Sequence, residues 1–292
     1  MTIIEARKIV RAFYNNTNPT DEDRFIYTEA ERYLIEEAKD PVAMAGLGAY
    51  YYEQKQFDLA CKYYEMAAEY DHLHAFLGLG YIWYYGRTGE RNYEKAFYYY
   101  NKAKEKGNIV ASYKVADMYK NGYYVEKDTE KYKEIIEELY PRVQNAYWTN
   151  EPLPEIYTRL AKIRSDEGKN EEALELYDQA RDFQARRIQT HPFFGDLNIM
   201  KWMINDIYKL REFDPENFEF YDLYYLLQEP VKVRFRFEDQ TCEVEMSEEN
   251  GEPGIRFGEI WYHTVDDFFQ KATLEGELLT MRYEELYDFE VI

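Results

Sequence analysis

The sequence predicts a mostly α protein, a right-handed α-solenoid of helix-turn-helix repeats followed by a small α+β module with an antiparallel meander. Three observations predict it. A helix-pair pattern recurs between residues 43 and 180, small residues stand at a fixed place in each copy, and after Pro230 the apolar period changes from helical to alternating.

The repeats come first. Ala43 to Tyr51 matches Ala75 to Trp83 after 32 residues, and a third copy, Ala111 to Tyr119, follows 36 residues later. A second helical segment trails each copy: Leu59 to Glu69, Lys95 to Gly107, and a degenerate Lys131 to Ile136. A fourth unit reappears as Tyr157 to Ala161 followed by Gly168 to Ala180. Gly48, Gly80, Ala116 and Ala161 are small residues placed mid-helix. A mid-helix Gly costs ~1 kcal/mol relative to Ala, so the two glycines call for close helix approach. The expected partners are Ala60, Ala96 and Ala173 on the second helices, with Leu47, Tyr51, Tyr64, Leu79, Trp83 and Tyr100 filling the space between pairs. One pair cannot bury such a face alone, whereas a stack of pairs can.

The Leu-Gly-x-x-Tyr then Lys-Ala-x-x-x-Tyr-x-x-Ala pattern resembles Sel1-like repeats, and the units at 43–72 and 157–182 resemble tetratricopeptide repeats. The small residue precedes the second-helix Ala by 12 residues in the first and fourth units and by 16 in the second. The four extra residues lie within Gly86 to Asn92, and Gly122 to Asp128 resembles the same longer turn. The resemblance covers residues 41–139 and 153–183, and it implies adaptor or scaffold work. The expected domains are capping helices over 1–40, a helical repeat domain with its own caps over 41–228, and an acidic α+β module over 229–292. Thr20 to Asp23 forms a capping box for a helix through Ala38, ended by Asp40-Pro41. Residues 196–211 and 215–227 read as the closing helices.

In the module, Val231, Val233, Phe235 and Phe237 alternate with Lys232, Arg234 and Arg236, and Cys242, Val244 and Met246 alternate with Glu243 and Glu245. A turn over Glu238 to Thr241 would pair Phe237 with Cys242, Arg236 with Glu243, Phe235 with Val244 and Arg234 with Glu245. A third strand is expected over 255–262, a helix capped by Thr264 through Ala272, and a last helix over about 277–287.

Composition narrows the partners. The net charge of −21 repels phosphate backbones and acidic membrane surfaces, so neither nucleic acid nor a membrane is expected. Two cysteines, Cys61 and Cys242, make no disulfide framework and suit a reducing, cytoplasmic setting. No signal-like segment opens the chain, and the apolar stretch Leu73 to Tyr85 is too short to span a bilayer.

A search for chemistry finds little. Gly46-Leu-Gly48 and Gly78-Leu-Gly80 lack the third Gly and the preceding strand of a dinucleotide site, so no cofactor is expected. His72 and His74 sit two apart with no further metal-ligand spacing, Cys61 and Cys242 read as small core residues, and the acidic run Ser247 to Glu252 lacks calcium-loop ligand spacing. No catalytic residue and no metal is expected. Resemblance implies instead that the first helix of each pair lines a concave groove. Positions one, four and five after each small residue, and those one turn earlier, then give Tyr52, His74, Leu77, Tyr81, Tyr84, Tyr85, Tyr113, Asp117, Lys120 and Asn121 as a surface for a protein or peptide. The module, with its excess of Asp and Glu, could receive a basic partner. Two alternatives stand beside the scaffold: a peptide-sensing regulator, and an enzyme with its site in the C-terminal module, where His263 could serve Cys242.

Overall fold

The computed structural model describes residues 1–144, 153–190, 195–249 and 251–292. The chain folds as two compact units, Met1–Leu139 and Tyr140–Ile292. The first unit is a row of antiparallel helix pairs: α1 (Ile3–Tyr14) with α2 (Asp21–Ala38), α3 (Pro41–Glu53) with α4 (Phe57–Ala68), α5 (Leu73–Tyr85) with α6 (Tyr93–Glu105), then α7 (Ile109–Asn121) leading into α8 (Thr129–Gln144). The expected capping box opens α2, with the Asp23 amide donating to Thr20 Oγ1 at 3.2 Å and the Thr20 amide to the Asp23 carboxylate at 2.8 Å.

Corners repeat with the sequence. Asp71 and Gly107 hold φ of 59° and 82° after α4 and α6, and the His72 and Asn108 amides then donate to Ala67 and Ala103 carbonyls. The longer turns share their closing bonds. Gly86 and Gly122, at φ 66° and 70°, end α5 and α7, and Asn92 and Asp128 return their amides to the Trp83 and Tyr119 carbonyls at 3.0 and 2.9 Å. Four added residues therefore build one defined, hydrogen-bonded loop.

The glycines do meet close neighbours, but these are rings and not alanines. A Cβ at Gly48 or at Gly78 would fall less than 3.0 Å from the Tyr64 ring, and one at Gly80 would meet Tyr100 in the same way. Tyr64 of α4 is thus wedged between Gly48 of its own pair and Gly78 of the next. Ala60 and Ala96 are fully buried without being the glycines' nearest neighbours. An aromatic ring, too bulky for a helix bearing any Cβ at that point, fills the space that was expected to bring two backbones together.

In the second unit, α9 (Leu153–Asp166) pairs with α10 (Asn170–Thr190) through a corner at Gly168, φ 78°, as the fourth unit of the sequence pattern requires. Helix α11 (Asp196–Leu210) follows as expected. The helix expected over 215–227 shrinks to a 3-10 turn, Phe220–Asp222, and a single turn, α12 (Leu223–Leu226). Its five successive residues from Phe220 to Tyr224 are all buried, which an amphipathic helix with one exposed face cannot arrange.

The sheet has the order β4-β3-β2-β1-β7, from β1 (Lys232–Phe237), β2 (Gln240–Glu249), β3 (Glu252–Phe257), β4 (Ile260–Tyr262) and β7 (Leu286–Val291), with α13 (Val265–Lys271) and a short pair, β5 (Thr273–Leu274) and β6 (Glu277–Leu278), between β4 and β7. Thr264 caps α13 as expected, accepting from the Asp267 amide at 3.0 Å. Three expectations are corrected. The hairpin turns over two residues, Glu238 and Asp239, so Phe235 pairs with Cys242, Arg234 with Glu243 and Val233 with Val244. A shift of two keeps every side chain on its face, so alternation alone does not decide between the registers. The expected third strand divides into β3 and β4 around Gly258, φ 58°. The expected last helix over 277–287 is instead β6, two 3-10 turns (Leu279–Met281 and Tyr283–Glu285) and the first two residues of β7; β7 completes the free edge of β1 and lays Phe289 on Phe235 with ring centroids 5.2 Å apart. Of that stretch only Leu286 and Tyr287 join the sheet, opposite Phe237 and Arg236 of β1.

Within this unit the sheet region packs on the helices before it. Tyr224 stacks on Phe269 at 3.7 Å, the Tyr221 hydroxyl donates to the Thr280 carbonyl at 3.2 Å, and Lys201 of α11 pairs with Asp266 of α13 at 3.0 Å.

Candidate functional site

Helices α3, α5 and α7 neighbour one another in that order, and they carry all ten residues expected to line a binding surface. Five of these are brought together. Tyr81 and Tyr85 stack at 6.1 Å, Tyr84 meets Tyr85 edge to face at 4.9 Å, and Tyr52 of α3 and Tyr113 of α7 join them through two cations. Lys114 Nζ donates to the Tyr85 hydroxyl at 2.8 Å and stands 5.2 to 5.6 Å from the centroids of Tyr85, Tyr84, Tyr113 and Tyr81. Arg87 Nε donates to the Tyr52 hydroxyl at 3.2 Å, and its guanidinium lies 5.0 Å from the centroid of Tyr85 and 5.4 Å from Phe57. Tyr85 is therefore shared by two cations, each facing aromatic rings whose quadrupoles attract positive charge.

Sequence reasoning missed both cations. Arg87 opens the longer turn, just past the helix that was searched. Lys114 had a stronger signal: it occupies, at offsets of 32 and 36 residues, the place held by Gly46 and Gly78 in the earlier copies. A long side chain at a position where its counterparts have none must go somewhere, and Lys114, only 8% exposed, goes among the tyrosines.

The expected residues differ in burial, and His74, Leu77, Lys120, Asn121 and Asp117 are not among the five. Tyr113 is itself 4% exposed and forms the cluster's buried wall. His74 is exposed near the start of α5, with its ring 5.8 Å from that of His72, which is the N-cap of α5 and so is not on its helical face. Leu77 is half-buried on the same helix. Lys120 faces Tyr132 of α8 at 4.9 Å, and Asn121 donates to the Asp117 carbonyl of its own helix at 2.7 Å.

Burial raises the hydroxyls of Tyr52 and Tyr84 above the ordinary tyrosine value, with Arg87 pulling Tyr52 the other way. Both stay protonated at neutral pH, able to donate and accept. The two thiols are poorly suited to attack: burial pushes Cys61 up to about 11 and raises Cys242 as well. No group of three or more His, Cys, Asp or Glu suited to a metal ion occurs among the described residues. The acidic run after Ser247 joins β2 to β3, with Glu249 paired to Glu252; its Asn250 lies outside the described residues. No helix among the described residues is long and apolar enough to cross a membrane. The α3, α5 and α7 cluster presents tyrosine faces and edges, hydroxyl groups and two placed cations.

Stacked helix pairs with recurring small residues define a helical-repeat protein. Residues 41–72, 74–108 and 109–131 match the family model of the Sel1 repeat, so the chain carries three Sel1 repeats and the tyrosine cluster lies within them. Such repeats are commonly protein-interaction scaffolds and typically non-catalytic. No curated protein matches the chain. Among solved structures, a Sel1 repeat protein from Oxalobacter formigenes is 22% identical over 70% of this chain and 80% of its own, with a TM-score of 0.48. A protective antigen of uropathogenic Escherichia coli with an SLR fold is 18% identical over 74% of this chain and 50% of its own, at 0.49. YrrB, a TPR protein described with an unusual peptide-binding site, is 18% identical over 63% of this chain and 93% of its own, at 0.37.

Proposed function

We propose that the protein is a non-catalytic adaptor that binds a peptide or protein segment along the surface formed by α3, α5 and α7. The observation that carries this is the group Tyr52, Tyr81, Tyr84 and Tyr85, all partly accessible and held in place by Arg87 and Lys114. Rings fixed before binding lose little entropy on contact, and their hydroxyls add directional bonds. Asp117, Lys120, Asn121, His74 and Leu77 extend this surface in the proposal. A reducing, cytoplasmic setting suits the two buried free cysteines, and the acidic C-terminal region offers a separate place for a basic partner.

The test is affinity capture from the source cell with wild type, Tyr81→Ala/Tyr84→Ala and the more peripheral Tyr52→Ala/Tyr85→Ala. Both variants are expected to lose the same partners while unfolding as cooperatively as wild type. Unchanged capture by both folded variants removes the groove from consideration.

A further inference from the structure

In the second unit a cavity of about 560 Å³ opens between residues 216–221, after α11, and residues 283–289, which include most of β7. Four carboxylates line it, Glu216, Glu219, Glu284 and Asp288, together with the rings of Tyr283, Tyr287 and Phe289, and no Lys, Arg or His is among the residues that do so. Glu219 has Arg181 at 3.6 Å and Glu284 accepts from Gln189 at 3.3 Å. Glu216 and Asp288 have no side-chain bond or ion pair among the described residues.

Chain geometry builds this wall. The β1–β7 register jumps between Arg234↔Glu290 and Arg236↔Tyr287, so Asp288 and Phe289 together oppose Phe235. Because of that bulge, four consecutive residues from Leu286 to Phe289 reach the cavity, where regular alternation would send two of them to the other face. A bulge also spoils the outer edge of β7 for pairing with an added strand, so recognition here is by side chains.

The same unit shows which cation such walls hold. Arg282 lies 4.3 Å from the Phe237 centroid and 2.6 Å from Glu285, and Arg256 lies 5.6 Å from the Trp261 centroid and 3.4 Å from Glu245. A planar guanidinium stacks on a ring and offers paired donors to a carboxylate, which an ammonium cannot do. The cavity presents both halves of that arrangement: Arg181 reaches Glu219 and Arg236 lies 5.8 Å from the Tyr287 centroid, while Glu216 and Asp288 have no such partner among the described residues, and its volume exceeds one side chain. We propose that this cleft binds arginine side chains of a basic peptide segment on a partner protein. The inference rests on the reading of the acidic region as a basic-partner surface and gives that surface a place and a chemistry.

The experiment is calorimetric titration of the full chain with an arginine-glycine repeat peptide, its lysine counterpart, free arginine and spermine at low salt. The arginine peptide is expected to bind most tightly. Glu216→Gln/Asp288→Asn, both exposed positions, should weaken it about tenfold. Glu229→Gln/Glu259→Gln removes equal charge outside the cleft and should change it less than about twofold. Equal loss in both variants overturns the cleft while leaving a diffuse acidic surface. No binding to wild type overturns both readings. Spermine or free arginine binding as tightly as the peptide overturns the peptide as occupant. Tyr81→Ala/Tyr84→Ala should leave the titration unchanged, since the repeats are a different site.

Discussion

The repeats of the first unit and the sheet region of the second are both rich in aromatic rings, yet they seat them differently. In the repeats a ring goes where a backbone position lacks a side chain, as Tyr64 does between Gly48 and Gly78. In the sheet region a single ring, Trp261, covers one glycine, Gly254, and no ring among the described residues is held between two, while Tyr224 lies on Phe269 and Phe289 on Phe235. Charge differs in part: Tyr85 in the repeats faces Arg87 and Lys114, whereas Tyr287 of β7 has Arg236 at 5.8 Å and shares its cavity with four carboxylates. The difference teaches that tyrosine content says little about role until the partners of each ring are known. A ring locked by glycines serves packing, whereas a ring beside a cation is accessible at Tyr85 and buried at Tyr113.

The sharpest way to break this contrast is to give one cradle a side chain. Gly78→Ala puts a Cβ against a Tyr64 ring that Gly48 confines from the other side, and should destabilise the protein by roughly 3 kcal/mol in urea unfolding. Adding Tyr64→Leu to Gly78→Ala should recover part of that loss, since the smaller side chain removes the clash. A Gly78→Ala protein as stable as wild type would show that the ring moves freely and that the cradle does no work.

A second prediction concerns the same first-helix position one repeat earlier. Gly46 faces the Glu31 carboxylate and the hydroxyls of Tyr14 and Tyr27, which lie 3.2 Å apart. Glu31 is 2% exposed, and burial pushes it from 4.5 up to about 8, opposed by the Tyr27 hydrogen bond and assisted by Asp40. The folded state then holds this proton more tightly than the unfolded chain does. Its contribution is whole below about 4.5 and is lost as pH rises toward 8. Glu31→Gln should remove that slope and be more stable than wild type above pH 8 by about 2 kcal/mol, read from unfolding curves across pH. An unchanged slope would mean that Glu31 ionises without penalty.

How much of this is legible in the sequence follows from what each feature depends on. The repeat helices, their caps and the turn at Gly86 to Asn92 are legible because they rest on local spacing that recurs. Glycine's partner is not, since Ala60 and Tyr64 are four residues apart on one helix and both could face Gly48. Of the tyrosine cluster, Tyr52, Tyr81, Tyr84, Tyr85 and Tyr113 are legible as a group, while Lys114 is legible only by aligning it with Gly46 and Gly78. The last stretch is least legible, because residues 277–287 favour helix locally yet form β6, two 3-10 turns and only the start of β7, whose pairing with the open edge of β1 is non-local.

Two buried tyrosines sharpen the contrast at smaller scale. The Tyr100 hydroxyl is buried with no hydrogen-bond partner among the described residues, whereas that of Tyr27 bonds Glu31 and Tyr14. Tyr100→Phe should be neutral or stabilise by up to about 1 kcal/mol, and Tyr27→Phe should cost about that much, in parallel thermal unfolding. Equal costs would place an ordered water on Tyr100.

The smallest expected effect lies in the sheet, where a turn and not a cradle sets the packing. Glu238 holds φ 50° at the first position of the two-residue turn, a conformation that costs a residue with a Cβ. Its carbonyl accepts from the Tyr287 hydroxyl at 2.6 Å, a bond that any residue at 238 keeps. Glu238→Gly trades relief of that strain against the greater freedom of Gly in the unfolded chain. The strain is the larger, so a gain of about 0.5 kcal/mol in unfolding free energy is expected. If the two-residue turn is what selects the Phe235–Cys242 register, amide exchange across that pair should slow in step with the gain. Faster exchange at Phe235 would mean instead that the strain at Glu238 is offset by contacts of its side chain, and that the register is held by the sheet.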